Sequence, residues 1–151
     1  MEIHVRDVHE AEEALGSLNR LHDGFIKRLL LESGDSFDAE GSQRCTGELS
    51  VVVLFAHYNF AGERRRFTQA VEATFFGVKD VDLSLGGRDV EWNVHDFCVR
   101  AETRTSDSGG PEPCLAAHLV MPRLSPTGEW STRQCRLFTF KEAVFRDVPL
   151  A

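Results

Sequence analysis

The sequence predicts an α+β, mainly β, fold: an N-terminal helix packed on a curved antiparallel sheet of about six or seven strands, half-barrel or sandwich-like. Three observations carry this expectation. Apolar residues recur at helical spacing before residue 22 and at strand spacing after it. Beyond that point, β-branched and aromatic runs are separated by turns rich in Gly, Pro, Ser and Asp. Finally, 11 Phe stand against a single Tyr, so most aromatic rings carry no polar tip and belong in a core. A chain of 151 residues is long enough to bury such a core as one domain.

In order along the chain, Ile3 and Val5 alternate with polar neighbours and predict a short edge strand. Val8, Ala11, Leu15 and Leu18 form one apolar stripe of a helix over residues 7–21. Asp7 is placed to cap it, with Glu10 three residues on as in a capping box. Gly16 weakens its middle. His22 is expected in the last turn, where the helix dipole favours its protonated form. Asp23-Gly24 then stops the helix, with Gly24 free to take a positive φ.

Residues 25–31 read as a strand and residues 32–48 as a long, mobile, polar connection. The β-branched run 49–56 predicts a central strand covered on both sides, and 57–63 turns the chain. Arg64, Arg65 and Arg66 lead into a half-buried strand, in which Phe67, Val71, Ala73 and Phe75 alternate with polar residues. Gly86-Gly87 makes a further turn. Val90, Trp92 and Val94 are apolar on even positions, whereas Phe97, Val99 and Ala101 are apolar on odd ones. Strand side chains alternate strictly, so a β-bulge at His95-Asp96 is expected to shift the phase. Residues 104–113 read as an exposed loop, 114–121 as an interior strand and 130–140 as the last long strand. Residues 141–151 show no clear period.

The net charge is −7. Residues 1–40 hold ten acids against Arg6, Arg20, Lys27 and Arg28, a net −6. An acidic end argues against nucleic-acid binding, which needs a basic face. It fits a basic protein partner, with Glu10, Glu12 and Glu13 as the candidate face. No apolar run is long enough to span a membrane and none opens the chain as a signal segment. The four cysteines include no Cys-x-x-Cys pair, so a cytoplasmic protein with reduced thiols is expected.

The candidate chemistry is a metal or acid/base site built from His22, Asp23, His95 and Asp96, with His57 or His118 as further members. Imidazole with carboxylate suits Zn, Fe or Mn. Against it, neighbours on a strand point to opposite faces, so His95 and Asp96 need the bulge to share an ion. His118, inside an apolar run, reads first as a core histidine with a hydrogen-bond partner. Cys98, three residues after His95, is the candidate nucleophile, although a thiol in an apolar strand is usually inert. No phosphate loop, dinucleotide fingerprint or nucleophile elbow occurs, and no cofactor is expected.

The opening, a short helix followed by His22-Asp23, then Ile26 and meandering strands, resembles small bacterial domains of unknown function. Some of these are grouped with immunity proteins of toxin systems. The resemblance covers residues 15–31 and transfers no functional residues. It implies a non-catalytic protein-interaction module, engaging a partner or itself. The alternative is a small-molecule-binding protein or metal-dependent enzyme using the His/Asp group on the concave face of the sheet.

Overall fold

The computed structural model describes residues 2–59, 66–84 and 93–149. The predicted turns at 60–63 and Gly86-Gly87, the Arg64-Arg65 pair, Val90 and Trp92 lie outside them. The fold is α+β and mainly β, as the periodicity predicts. Its elements are β1 (Glu2–Val5), α1 (Val8–Ser17), a 3₁₀ turn (Asn19–Leu21), β2 (Gly24–Ser33), β3 (Ser36–Phe37) and β4 (Gln43–Arg44). There follow β5 (Leu49–Asn59), β6 (Arg66–Phe76), β7 (Asn93–Val94), β8 (Asp96–Thr105), β9 (Pro111–Leu124), β10 (Trp130–Phe140) and β11 (Glu142–Pro149). A six-stranded sheet, β1-β11-β6-β5-β2-β7, curls as a half-barrel. A three-stranded sheet, β10-β9-β8, faces it, and β3 and β4 form a small ribbon of their own. Every strand pair is antiparallel. No helix among the described residues is long and apolar enough to cross a membrane.

The helix starts where the sequence places it. Asp7 accepts a hydrogen bond from the Glu10 backbone N–H at 2.8 Å, and the Glu10 carboxylate reaches back to the Arg6 N–H at 2.7 Å. That is one residue beyond a capping box's usual return bond. The helix ends at Ser17 rather than Leu21. Gly16 lowers its propensity, and the Ser17 hydroxyl binds the Ala14 carbonyl at 2.7 Å. Asn19, Arg20 and Leu21 then take left-handed φ values of 50°, 52° and 57°. His22 therefore follows a tight turn and is not in a helical last turn. The positive φ expected of Gly24 falls on Asp23, at 60°, a residue that tolerates it better than most. Gly24 itself is the buried first residue of β2.

An extra residue in β2, Lys27, shifts its register against β5. Leu29 and Leu31 consequently pair with Val53 and Val51, and Leu30 pairs with Val52. That resolves the leucine run into two faces. In β5, Val51, Val53 and Phe55 are buried, whereas Val52 and Leu54 are half-buried. The strand is central, yet it is fully covered on one face only.

Residues 32–48 form a built hairpin rather than an irregular connection. Gly34 N–H donates to Glu48 O, Asp38 N–H to Ser42 O, and Thr46 N–H to the Asp35 carboxylate, at 2.8–2.9 Å. The expected bulge at His95-Asp96 is a change of sheet. Val94 pairs with Gly24 in the six-stranded sheet, while Asp96 pairs with Val120 in the three-stranded one. Both Val94 and Phe97 are buried, so the phase slip read from the sequence is real. A chain turning a corner between packed sheets produces it as well as a bulge does. The predicted loop 104–113 shrinks to residues 106–110: β8 continues to Thr105, β9 starts at Pro111, and Arg104 is buried. The aperiodic tail contains β11, an inner strand between β1 and β6.

The core lies between the two large sheets, with Ala11, Ala14 and Leu15 of α1 closing one side. Its centre is Phe75 of β6. That ring lies 4.9 Å from both Phe138 and Phe140 of β10, 6.0 Å from Phe145 and 6.1 Å from Phe97. Four of these ring contacts are edge-to-face or tilted, the arrangement favoured by the aromatic quadrupole.

Candidate functional site

The corner where the chain changes sheets gathers the His-Asp residues. The His22 and His95 rings meet edge to face at 4.8 Å, and His22 Nδ1 hydrogen-bonds the His95 carbonyl oxygen. His22 Nε2 lies 3.4 Å from the Asp23 carboxylate. Asp96 turns elsewhere. Its Oδ1 stands 3.4 Å from Arg20 Nε, an ion-pair contact without hydrogen-bond geometry, and Arg20 also pairs with Glu12 at 2.9 Å. The corner thus joins His22, Asp23 and His95 in one contact set and holds Asp96 in another. No group of three or more His, Cys, Asp or Glu among the described residues is arranged to hold a metal ion. His22 Nδ1 ties the 3₁₀ turn to the backbone of His95, so the corner acts first as a latch between that turn and the sheet change. His57 is in β5, one step beyond Ala56, the partner of Phe25 in β2, so its backbone lies beside the Gly24–Val94 pair at this corner.

The acids of α1 are largely spoken for. Glu10 binds Arg6 at 2.6 Å, Glu12 binds Arg20, and Glu13 lies 3.8 Å from His9. The helix therefore presents paired charges rather than an open acidic face. The uncompensated acids are on the hairpin. Residues 32–48 carry Glu32, Asp35, Asp38, Glu40 and Glu48 against Arg44 alone, a net −4. This hairpin prolongs the β2–β5 ribbon, and every residue in it is exposed except the half-buried Asp38. Along the same ribbon large apolar side chains are exposed: Leu30 by 40%, Leu31 by 49% and Phe37 by 74%. In sequence this stretch reads as a connection because its turn residues outnumber its apolar ones. Phe37 between Ser36 and Asp38 was the available signal.

A second polar group lies on the outer face of the three-stranded sheet. Arg136 holds Glu102 through two bonds of 2.9 and 2.7 Å, which keeps that carboxyl below the usual carboxylate range. His118, the predicted core histidine, is buried, with its Nδ1 3.0 Å from the Gln134 amide nitrogen. Accepting that N–H puts the ring proton on Nε2, which lies 3.6 Å from Glu102, beyond a normal hydrogen bond. Burial, and then Arg100, push the His118 pKa down, with Glu102 opposing. Cys98 is half-buried, and burial pushes its thiol up, opposite to what a nucleophile needs. All four cysteines are free.

These shifts set a pH dependence. A group whose folded-state pKa is depressed contributes stability above its unfolded value and loses it as pH falls. His118 begins to withdraw stability below its ordinary value of about 6.5, and Glu102 below about 4.3. The melting temperature is expected to fall in two stages on acidification from pH 8 to pH 2, an upper one set by His118 and a lower one set by Glu102. His118→Gln is expected to remove the upper stage alone. A profile unchanged by that substitution would show that His118 does not titrate with unfolding.

The third cluster surrounds Glu112. Arg104 Nε binds it at 2.8 Å, and the Lys79 and Lys141 ammonium groups stand 3.9 and 3.7 Å away. Arg104 Nη1 also donates to the Gly77 carbonyl at 2.7 Å and to Thr139 Oγ1 at 3.2 Å. Three cations keep the Glu112 carboxyl below its usual range, Arg104 foremost. None of these residues stood out in the sequence, because Arg104 sits beside a Ser- and Gly-rich turn and its partners are distant in the chain. Comparison with known proteins returns no matching family model, no matching curated protein and no matching solved structure.

Proposed function

We propose that the chain is a non-catalytic protein-interaction module whose docking surface is the acidic end of the β2–β5 ribbon. The observation that supports it is the exposure of Phe37 on a hairpin of net charge −4, with Leu30 and Leu31 exposed on the two faces of the adjoining end of β2. Exposed apolar anchors rimmed by charge of one sign describe an interaction surface rather than a solvated loop. The carboxylates select a basic partner and steer its approach, and the aromatic anchor contributes affinity. This reading moves the acidic face from Glu10, Glu12 and Glu13 to Glu32, Glu40 and their neighbours. It keeps the class implied by the immunity-protein resemblance, in which the partner would be a toxin.

The test is affinity capture from extract of the encoding cells, with wild type and two variants as bait. Wild type is expected to retain a basic protein stoichiometrically and to release it as salt is raised. Phe37→Ser and the Glu32→Lys/Glu40→Lys double variant are each expected to weaken capture at least ~10-fold, with unchanged melting. Asp35 and Asp38 are left in place because they bond the hairpin backbone. Equal capture by all three baits would overturn the proposal. A concentration-dependent dimer abolished by Phe37→Ser would assign the surface to a second copy.

A further inference from the structure

Two hollows adjoin on the side of the molecule away from the His-Asp corner. One, of about 870 Å³, has a mixed lining, with Arg6, Lys79, Arg104 and Lys141 and carboxylates set among Leu49, Phe76 and Val78. The other, of about 540 Å³, is a mainly apolar trough between the start of α1 and the β8–β9 hairpin, lined by Val8, Ala101, Pro113 and Leu115. Arg6 and Lys141 line both, so two cations stand at the seam between a hollow rich in charged groups and a mainly apolar one.

The charges at the seam are not equally committed. Arg104 is held by Glu112, Lys79 by Asp107 at 2.6 Å, and Arg6 by Glu10. Lys141 is 3.7 Å from Glu112, outside hydrogen-bond reach, and its side chain is 60% exposed. Its position is nonetheless built. Gly77 has φ +62°, and a Cβ there would lie 3.0–3.2 Å from the Lys141 stem. The absence of a side chain at Gly77 lets that stem lie flat, while the Gly77 carbonyl anchors Arg104. Ordering the stem beforehand lowers the entropic cost of using the ammonium group.

We infer that this seam binds a small amphipathic monocarboxylate, with the carboxylate on Lys141 beside Arg6 and the apolar body in the trough of Val8, Ala101, Pro113 and Leu115. The trough's volume lies within the range of small-molecule sites, which combine apolar lining with a few placed polar groups. The requirement for both halves follows from the seam. The lone head group meets cations that already have competing carboxylates, and the lone body gains only a shallow apolar contact.

Calorimetric and NMR titration of the whole protein with octanoate tests this, using octanamide and acetate as the two half-ligands. Octanoate is expected to bind saturably at one site, and each half-ligand at least ~10-fold more weakly. Lys141→Gln and Ala101→Asp are each expected to weaken octanoate at least ~10-fold. Ala101 is exposed, so that variant keeps the fold, which melting verifies. No saturable binding, equal affinity for octanamide, or affinity unaltered in both variants would overturn the inference. Gly34, Thr46, Gly47 and Glu48 of the hairpin line the larger hollow, but the trough and the two substituted positions lie outside the hairpin, so failure of octanoate binding leaves the capture test of Phe37 and Glu32/Glu40 standing.

Discussion

Phe75→Ala is expected to destabilise the protein by about 4 kcal/mol. Phe75 is fully buried and its ring touches Phe97, Phe138, Phe140 and Phe145. These neighbours belong to strands of both large sheets, so collapse around the missing ring is restricted from two sides. The loss combines the transfer free energy of the ring with the cavity it leaves. Urea or guanidinium unfolding measures it directly, and the corresponding fall in melting temperature is on the order of 10 °C for a chain of this length. A loss below about 1.5 kcal/mol, the scale of a tolerated volume-conserving swap, would mean that the two sheets do not share this ring as their common centre.

Arg104→Met is expected to cost about 3 kcal/mol. The side chain is 2% exposed, and Met fills much of its volume while removing every donor. The Gly77 carbonyl and Thr139 hydroxyl lose a charged partner. Glu112 is left with two more distant ammonium groups. Leaving one member of a buried pair uncompensated is costly, whereas removing both is often cheap. Arg104→Met/Glu112→Gln is therefore expected to be less destabilising than the sum of the single variants. Additive losses would show that the two residues act independently.

The parts of the fold that were legible in the sequence are those where a single physical rule decides. The Asp7 cap, the helix stripe and the alternating run at Val71, Ala73 and Phe75 each follow from local spacing, and each is present. The phase slip at His95 was also visible, but periodicity records only that side chains change face. It does not distinguish an extra residue within one sheet from a passage between two. The helix end was misplaced because Leu18 and Leu21 continue the apolar period in a left-handed turn. The last strand was overlooked although Ala143 and Phe145 alternate inward. Arg104 was unreadable for a different reason: its burial depends on Gly77, Glu112 and Thr139, which only tertiary pairing brings together. The candidate site was legible in half. His22 and His95 do meet, whereas Glu10 and Glu12 on α1 are paired with Arg6 and Arg20, Glu13 stands near His9, and further open acids lie on a stretch whose composition reads as a connection.

Under the proposed function, the hairpin beyond the β2–β5 pairing is a docking device separable from the fold. Replacing residues 35–47 by Asn-Gly, a pair suited to a two-residue hairpin turn, removes it and leaves Gly34 and Glu48 to close the ribbon. No residue from 32 to 48 belongs to the buried core. The shortened protein is expected to melt within a few degrees of wild type and to capture no partner. Full capture by the shortened protein would contradict the claim.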